Sequence, residues 1–333
     1  MTSSGRQPAR PKRATIEDVA REAGVGRQTV SRALNDQAEI APETRQRVLE
    51  AAARLGYRPN AMAKGMRMQR SDVIGLVVSD IANPFYPAVA RGVYDQAEAS
   101  GCSVVLYNTD AEPVRERAAL EDVLSRSARG VVGFFYGTSE AALAGYAAVV
   151  PLVVADRLLT DPDMMSVSND FAAGTRAAVA HLVQRGHTEL GMLDSSVGVA
   201  VDERRTSFLA ACRDFGLGDL SERVVQGPPS IEGGTAAATA LLSAYPQVTG
   251  VFAFNDLMGV GAVQAVAALG RRVAADCAIV GFDDLEMSAY LDPPLTTVRI
   301  DKYVHGQMLV KTLLAQEPQR LVLPVTLIPR ATA

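Results

Sequence analysis

The stretch Thr15-Ile16-Glu17-Asp18-Val19-Ala20-Arg21-Glu22-Ala23-Gly24-Val25-Gly26-Arg27-Gln28-Thr29-Val30-Ser31-Arg32-Ala33-Leu34 decides how the first part of the chain folds. Ile16, Val19, Ala20 and Ala23 recur at helical spacing behind Thr15, a good N-cap, and Glu17 and Asp18 complement the positive end of the helix dipole. Gly24-Val25-Gly26 breaks that helix. A second begins at Arg27, with Val30 and Leu34 on its inner face and Arg27, Gln28 and Arg32 pointing outward. This is helix-turn-helix spacing. A third helix is expected from Pro42 to Leu55, opened by proline and closed by Gly56, with Val48, Ala52 and Leu55 inward. Three short helices make a compact, all-α DNA-binding head.

Charge agrees with that reading. Residues 1–70 carry 14 Lys and Arg against 7 Asp and Glu, a surplus of +7, which leaves −11 on the rest of a chain whose total is −4. A basic head on an acidic body suits nucleic-acid binding by the one and other work by the other. The opening residues, Met1 to Arg13, are Ser-, Pro- and Arg-rich without an apolar core, so they read as a disordered basic tail rather than a secretory signal. Cys102, Cys212 and Cys277 are odd in number and set among apolar residues, as expected of reduced thiols in a cytoplasm. The 333 residues are 48% hydrophobic, yet apolar runs such as Val149 to Ala155 fall far short of the ~20 residues that span a bilayer. No membrane partner is expected.

Beyond Ser71 the pattern changes to strands alternating with helices. Strands are expected at Val73–Val78, Cys102–Tyr107, Gly130–Phe135, Leu152–Ala155, Leu190–Leu193, Val251–Phe254 and Ala278–Phe282. Helical stretches lie between them near Tyr86–Ser100, Arg115–Arg126, Ala172–Arg185, Glu203–Phe215, Gly233–Ala244 and Met258–Leu269. Strict alternation implies parallel sheets with right-handed crossovers. About 260 such residues are long for one sheet, so two α/β lobes facing a cleft are expected.

Taken together, Thr15 to Val25, Thr29-Val30-Ser31-Arg32-Ala33-Leu34-Asn35, Thr44-Arg45 and Gly56-Tyr57-Arg58-Pro59-Asn60 resemble the head of the LacI/GalR family of bacterial transcription regulators. Asn83-Pro84-Phe85-Tyr86, Asp156-Arg157, Arg185-Gly186-His187, Asn255-Asp256 and Gly281-Phe282-Asp283-Asp284 resemble its body. The resemblance implies a helix-turn-helix head, a hinge helix and a two-lobed, periplasmic-binding-protein-like core, usually as a homodimer. The implied plan is a tail at 1–13, a head at 14–59, a hinge helix and linker at 60–70, and a core at 71–333. Within the core, lobe 1 takes about 71–170 and 301–328, and lobe 2 about 171–300.

Arg27, Gln28 and Arg32 are the expected base readers, since Gln pairs bidentately with adenine and Arg with guanine. Thr15, Thr29, Ser31, Asn35, Thr44 and Tyr57 complete the expected DNA face, the hydroxyls and amide on phosphates. Asn60 can cap the short segment that resembles the hinge helix, whose Ala63, Lys64 and Met66 are expected at the minor groove, Met66 as an apolar wedge. Gly26 and Ala41 stand where the family commonly has a capping Ser; Ala there costs roughly 1 kcal/mol. In the core the resemblance assigns a small effector to Asp156, Arg204, Asn255 and Asp283, with Phe85 and Tyr86 as an aromatic wall. Carboxylates and Asn suit paired hydroxyls, Arg adds a forked donor, and rings pack on the apolar face of a sugar.

An enzyme is not expected. Gly24-Val25-Gly26 lacks the third glycine of a dinucleotide fingerprint, no Gly-Lys pair forms a P-loop, and His181, His187 and His305 make no metal motif. Neither cofactor nor metal is expected. The alternative, a solute-binding receptor with a vestigial DNA-binding head, needs export, against which the basic start argues. The expected partners are pseudopalindromic operator DNA, a carbohydrate-like effector and a second copy of the chain.

Overall fold

The structure, a computed structural model, describes residues 14–34, 40–57, 71–195 and 203–333. The chain divides into two compact units at Ser71-Asp72. The expected hinge helix, with Asn60, Ala63, Lys64 and Met66, lies outside the described residues, as does Asn35.

The first unit holds α1 (Ile16–Ala23), α2 (Arg27–Leu34) and α3 (Pro42–Arg54). Thr15 and Asp18 form a reciprocal capping box: the Thr15 hydroxyl accepts from the Asp18 N–H at 3.3 Å, and the Asp18 carboxylate accepts from the Thr15 N–H at 2.9 Å. Gly24, at φ +64°, ends α1 in the left-handed conformation. Val19, Val30, Val48 and Ala51 are fully buried where the three helices meet. Leu55 is a correction: it sits at the C-cap of α3, 37% exposed, because Ala51 occupies the inward position one turn earlier. Ala41 makes no side-chain cap to α3.

The second unit opens with β1 (Val73–Val78), α4 (Phe85–Ala99), β2 (Ser103–Asn108), α5 (Pro113–Ser125), β3 (Gly130–Gly133), α6 (Glu140–Ala147), β4 (Leu152–Ala155) and β5 (Met165–Asn169). It continues with α7 (Phe171–Gln184), β6 (Leu190–Ser195), α8 (Glu203–Asp214), β7 (Val224–Gly227), α9 (Ile231–Ala244), β8 (Gly250–Ala253), α10 (Asp256–Ala268), β9 (Ala278–Asp283) and β10 (Thr296–Arg299). It closes with α11 (Lys302–Ala315), β11 (Arg320–Leu323) and β12 (Thr326–Ile328). Two six-stranded sheets result, ordered β11-β5-β4-β3-β1-β2 and β12-β10-β9-β8-β6-β7. All pairings are parallel except β10 with β12, so helices must return the chain on the faces of each sheet.

The chain passes between the lobes three times: at Asp170, at Ile300-Asp301, and at Pro324-Val325. The third crossing corrects the expected extent of lobe 1 at its end. Residues 326–328 pair with β10, Val298 opposite Leu327, and Thr332 anchors the segment by donating to the Ile279 carbonyl and accepting from the Thr296 N–H, both at 2.8 Å. In lobe 1, α4 and α11 touch through two glycines. A Cβ on Gly92 would meet the Tyr303 carbonyl oxygen at 2.1 Å, and one on Gly306 the Val89 carbonyl oxygen at 2.1 Å. No helix among the described residues is long and apolar enough to cross a membrane.

Candidate functional site

Strand ends from both lobes converge on one cleft, open to solvent. Ser79 follows β1 and Asp156 follows β4, while Ser195 ends β6, Asn255 lies just past β8 and Asp283 ends β9. A crevice outside the carboxyl ends of parallel strands is where such folds present polar groups to ligands. Phe85, Tyr86, Asp156, Arg204, Asn255 and Asp283, the six residues singled out in the sequence, all line it.

The lobe 1 wall is aromatic and held from behind. Phe85 and Tyr86 open α4 and meet edge to face at 5.2 Å, and each packs edge-on against the buried Phe134, at 5.9 and 5.0 Å. Ser79 Oγ donates to the Tyr86 hydroxyl at 2.6 Å. Asp156 Oδ1 accepts from the backbone N–H and Nδ2 of Asn169, at 3.1 and 2.9 Å. Nδ2 of Asn169 also lies 3.1 Å from Nδ1 of the buried His305, whose Nε2 is 3.2 Å from the Val167 carbonyl. An amide donor at one ring nitrogen and a carbonyl at the other place the ring proton on Nε2.

Lobe 2 supplies the cation. The Arg204 guanidinium carbon sits 3.6 Å from the ring centre of Phe254, 4.5 Å from Phe171 and 5.5 Å from Phe282, and Nη1 donates to the Phe254 carbonyl at 3.3 Å. Three rings surround the charge. Asn255 has a structural duty, capping α10 by accepting from the Met258 N–H at 2.9 Å while Nδ2 reaches the Pro229 carbonyl at 3.4 Å. Asp283 is turned into the cleft by a left-handed φ of +111°, and Asp156 by one of +50°. Non-glycine residues hold such angles only where the surroundings impose them, as Lys302 Nζ does by bonding the carbonyls of Asp283, Asp284 and Ile300.

Burial governs the acids on the lobe 2 side. Asp256, fully buried behind the cleft, accepts from the Leu285 N–H at 2.7 Å, the Ser288 hydroxyl at 2.6 Å and the Thr297 hydroxyl; burial nevertheless pushes it up to about 6. Asp283 rises to about 8, first by burial and then by the charge of Asp256, with Arg204 and Lys302 opposing. Its carboxyl is therefore mostly protonated at neutral pH and can donate a hydrogen bond.

In the first unit, Arg27, Gln28 and Arg32 are exposed along α2, and Arg27 pairs with Glu17 at 3.3 Å. Thr29 and Ser31 are half-buried beside them. Thr15 is exposed and engaged with Asp18; Thr44 is half-buried in the first turn of α3, and Tyr57 packs on the helical core.

Residues 15–60 match the bacterial regulatory proteins of the lacI family, and 179–333 match a periplasmic binding protein-like domain. The transcriptional regulator GalS of Salmonella typhimurium is 35% identical over 287 residues, covering 86% of this chain and 84% of that protein. The chain belongs to the LacI family. It is a bacterial transcriptional regulator rather than an enzyme. The lac repressor dimer bound to operator and the anti-inducer ONPF superposes with a TM-score of 0.88 at 29% identity, covering 96% of this chain and 99% of that one. The regulator CelR in complex with cellobiose gives 0.72 at 31%, covering 96% and 100%. In this LacI-family chain the cleft also includes Tyr136, Phe171, Phe254 and Glu203, which the sequence reading did not single out. The aromatic residues read as core, since they sit within or beside apolar strands. Glu203 carried a usable signal in its adjacency to Arg204 at the start of α8.

Proposed function

We propose that this regulator binds a pseudopalindromic operator as a homodimer in the cytoplasm, and that a small carbohydrate-like effector held between the core lobes changes its affinity for that DNA. Repression is the sign of regulation that fits. In this reading 14–59 is the DNA-binding head, 60–70 the hinge, and α2 the recognition helix, with Arg27, Gln28 and Arg32 on base edges. Met66 wedges a minor-groove step.

The observation that carries the effector half is the convergence, at the ends of both sheets, of two aspartates, a ring-clamped guanidinium and an aromatic wall on one cleft. Acceptors, donors and ring faces in that combination suit hydroxyl pairs on an apolar sugar face. A solved relative whose fold matches over 96% of this chain is a complex with cellobiose, which supports the ligand class.

Thermal-shift screening of the full chain against sugars, sugar derivatives and nucleobases, followed by operator binding with each hit, tests both halves. A stabilising sugar should lose its effect in Asp283→Ala and Arg204→Ala. Equal stabilisation of both variants would refute the site, and a hit without any change in operator affinity would refute the switch.

A further inference from the structure

We propose that the cleft selects uncharged polyols and rejects their anionic derivatives, the phosphorylated and carboxylated sugars. This deepens the reading of the cleft as the effector site and rests on it. Four carboxyl side chains line the space, those of Asp80, Asp156, Glu203 and Asp283. Among the described residues the lining cations are Arg157 and Arg204. Arg157 is committed to the protein: its Nη1 donates to the Phe135 carbonyl at 2.9 Å and the Thr138 carbonyl at 2.6 Å. Arg204 is held among rings, its guanidinium carbon 3.6 Å from the Phe254 centre and 4.5 Å from that of Phe171, with Nη1 donating to the Phe254 carbonyl.

Among the described residues the backbone offers an anion as little as the side chains do. Helix N-termini are ready-made anion sites because their first N–H groups are unpaired. Here α7 is capped by Asp170, α10 by Asn255 and α11 by Asp301, each accepting from a first-turn N–H, and Asn83 Oδ1 takes the Phe85 N–H at the start of α4. The start of α8 carries the carboxylate of Glu203.

The cleft reports its own intolerance of added negative charge. Burial and the neighbouring carboxylates hold Asp283 at about 8, so a resident carboxyl stays protonated despite Arg204 and Lys302. A ligand carboxylate or phosphate placed beside it meets the same desolvation and the same repulsion, and it carries its charge over a wider pH range.

The test is calorimetric titration of the full chain with matched sets: glucose, galactose, ribose and cellobiose, each beside a phosphorylated and a carboxylated form of the same skeleton. The neutral member of a binding set should bind at least ten-fold tighter than either anion, and Glu203→Gln should narrow that gap several-fold. An anion bound as tightly as its neutral parent overturns the proposal, and so does a panel in which no neutral member binds at millimolar concentration. Neutral-selective binding that leaves operator affinity unchanged supports the charge selectivity and counts against the switch, so the two failures are distinguishable.

Discussion

Asp283 joins a strained backbone to a perturbed side chain, and its effect on stability has a definite sign. Its folded value of about 8 lies above that of an unfolded aspartate, so between roughly pH 4 and 8 the folded chain binds more protons than the unfolded one. Its contribution to stability is present in acid and is lost as pH rises through 8. Asp283→Asn should therefore be more stable than the parent at pH 8, with a flatter dependence below it. Urea unfolding at pH 5 and pH 8 measures this; an unchanged slope would mean that Asp283 is ionised in the fold. On α2, Arg32 is exposed and projects away from Val30 and Ala33, which are buried. Arg32→Ala should cost about 1–3 kcal/mol on the cognate operator and relax one base pair per half-site, while binding to random DNA changes little. Competition binding over a randomised operator checks that pattern. The cleft lining was legible through the family resemblance at residues such as Asp156 and Asp283, which stand at the ends of apolar strands. It was not legible at Phe254 or Phe171, whose rings look like core and act as a plate for Arg204 only once distant segments meet.

The loop after β3 shows how one buried acid shapes an element. Glu116, on α5 and fully buried, accepts from the N–H groups of Tyr136, Gly137 and Thr138 at 2.8–2.9 Å and from the Thr138 hydroxyl at 2.6 Å. Its two oxygens are saturated by the segment that carries Tyr136 into the cleft. Glu116→Gln puts a donor where an acceptor is required, so it should destabilise the core by about 1–3 kcal/mol and loosen the Tyr136 wall. Hydrogen exchange at 134–138 should rise more than the global loss of stability accounts for; equal exchange would assign the loop's order to other contacts. Elements were legible in the same uneven way. β1 and β4 are continuous apolar runs, whereas β5 reads Met-Ser-Val-Ser-Asn and is nonetheless buried throughout, as an inner strand paired with β4 and β11. Strand β7 and the final pair, β11 and β12, are short and lie at sheet edges, where little burial demands an apolar pattern.

At the scale of the molecule, each lobe is a parallel sheet wrapped by helices, and lobe 1 depends on α4 and α11, which lie more than 200 residues apart. Gly92 and Gly306 let these helices approach backbone to backbone. Gly306→Ala should force them apart, lowering stability by about 1–3 kcal/mol. A gain in the thermal midpoint would show instead that the added helix propensity outweighs the clash. Sequence alternation revealed the two-lobed class because most of the parallel strands are followed by a returning helix; β4 to β5 and β9 to β10 are joined without an α-helix. The last crossing was hidden, because a three-residue strand carries no periodicity and its pairing with β10 is settled only in three dimensions.

That crossing, with the two before it, means that neither lobe is an uninterrupted length of chain. No single scission can separate the two lobes: severing the backbone at Asp170 leaves α11 and β11 of lobe 1 on the second piece, and severing it at Ile300 leaves β12 of lobe 2 on the piece with α11. Either pair of fragments must find the other to complete a sheet. The effector core is thus suited to fragment complementation, in which two halves produced apart recover a cleft only on reunion.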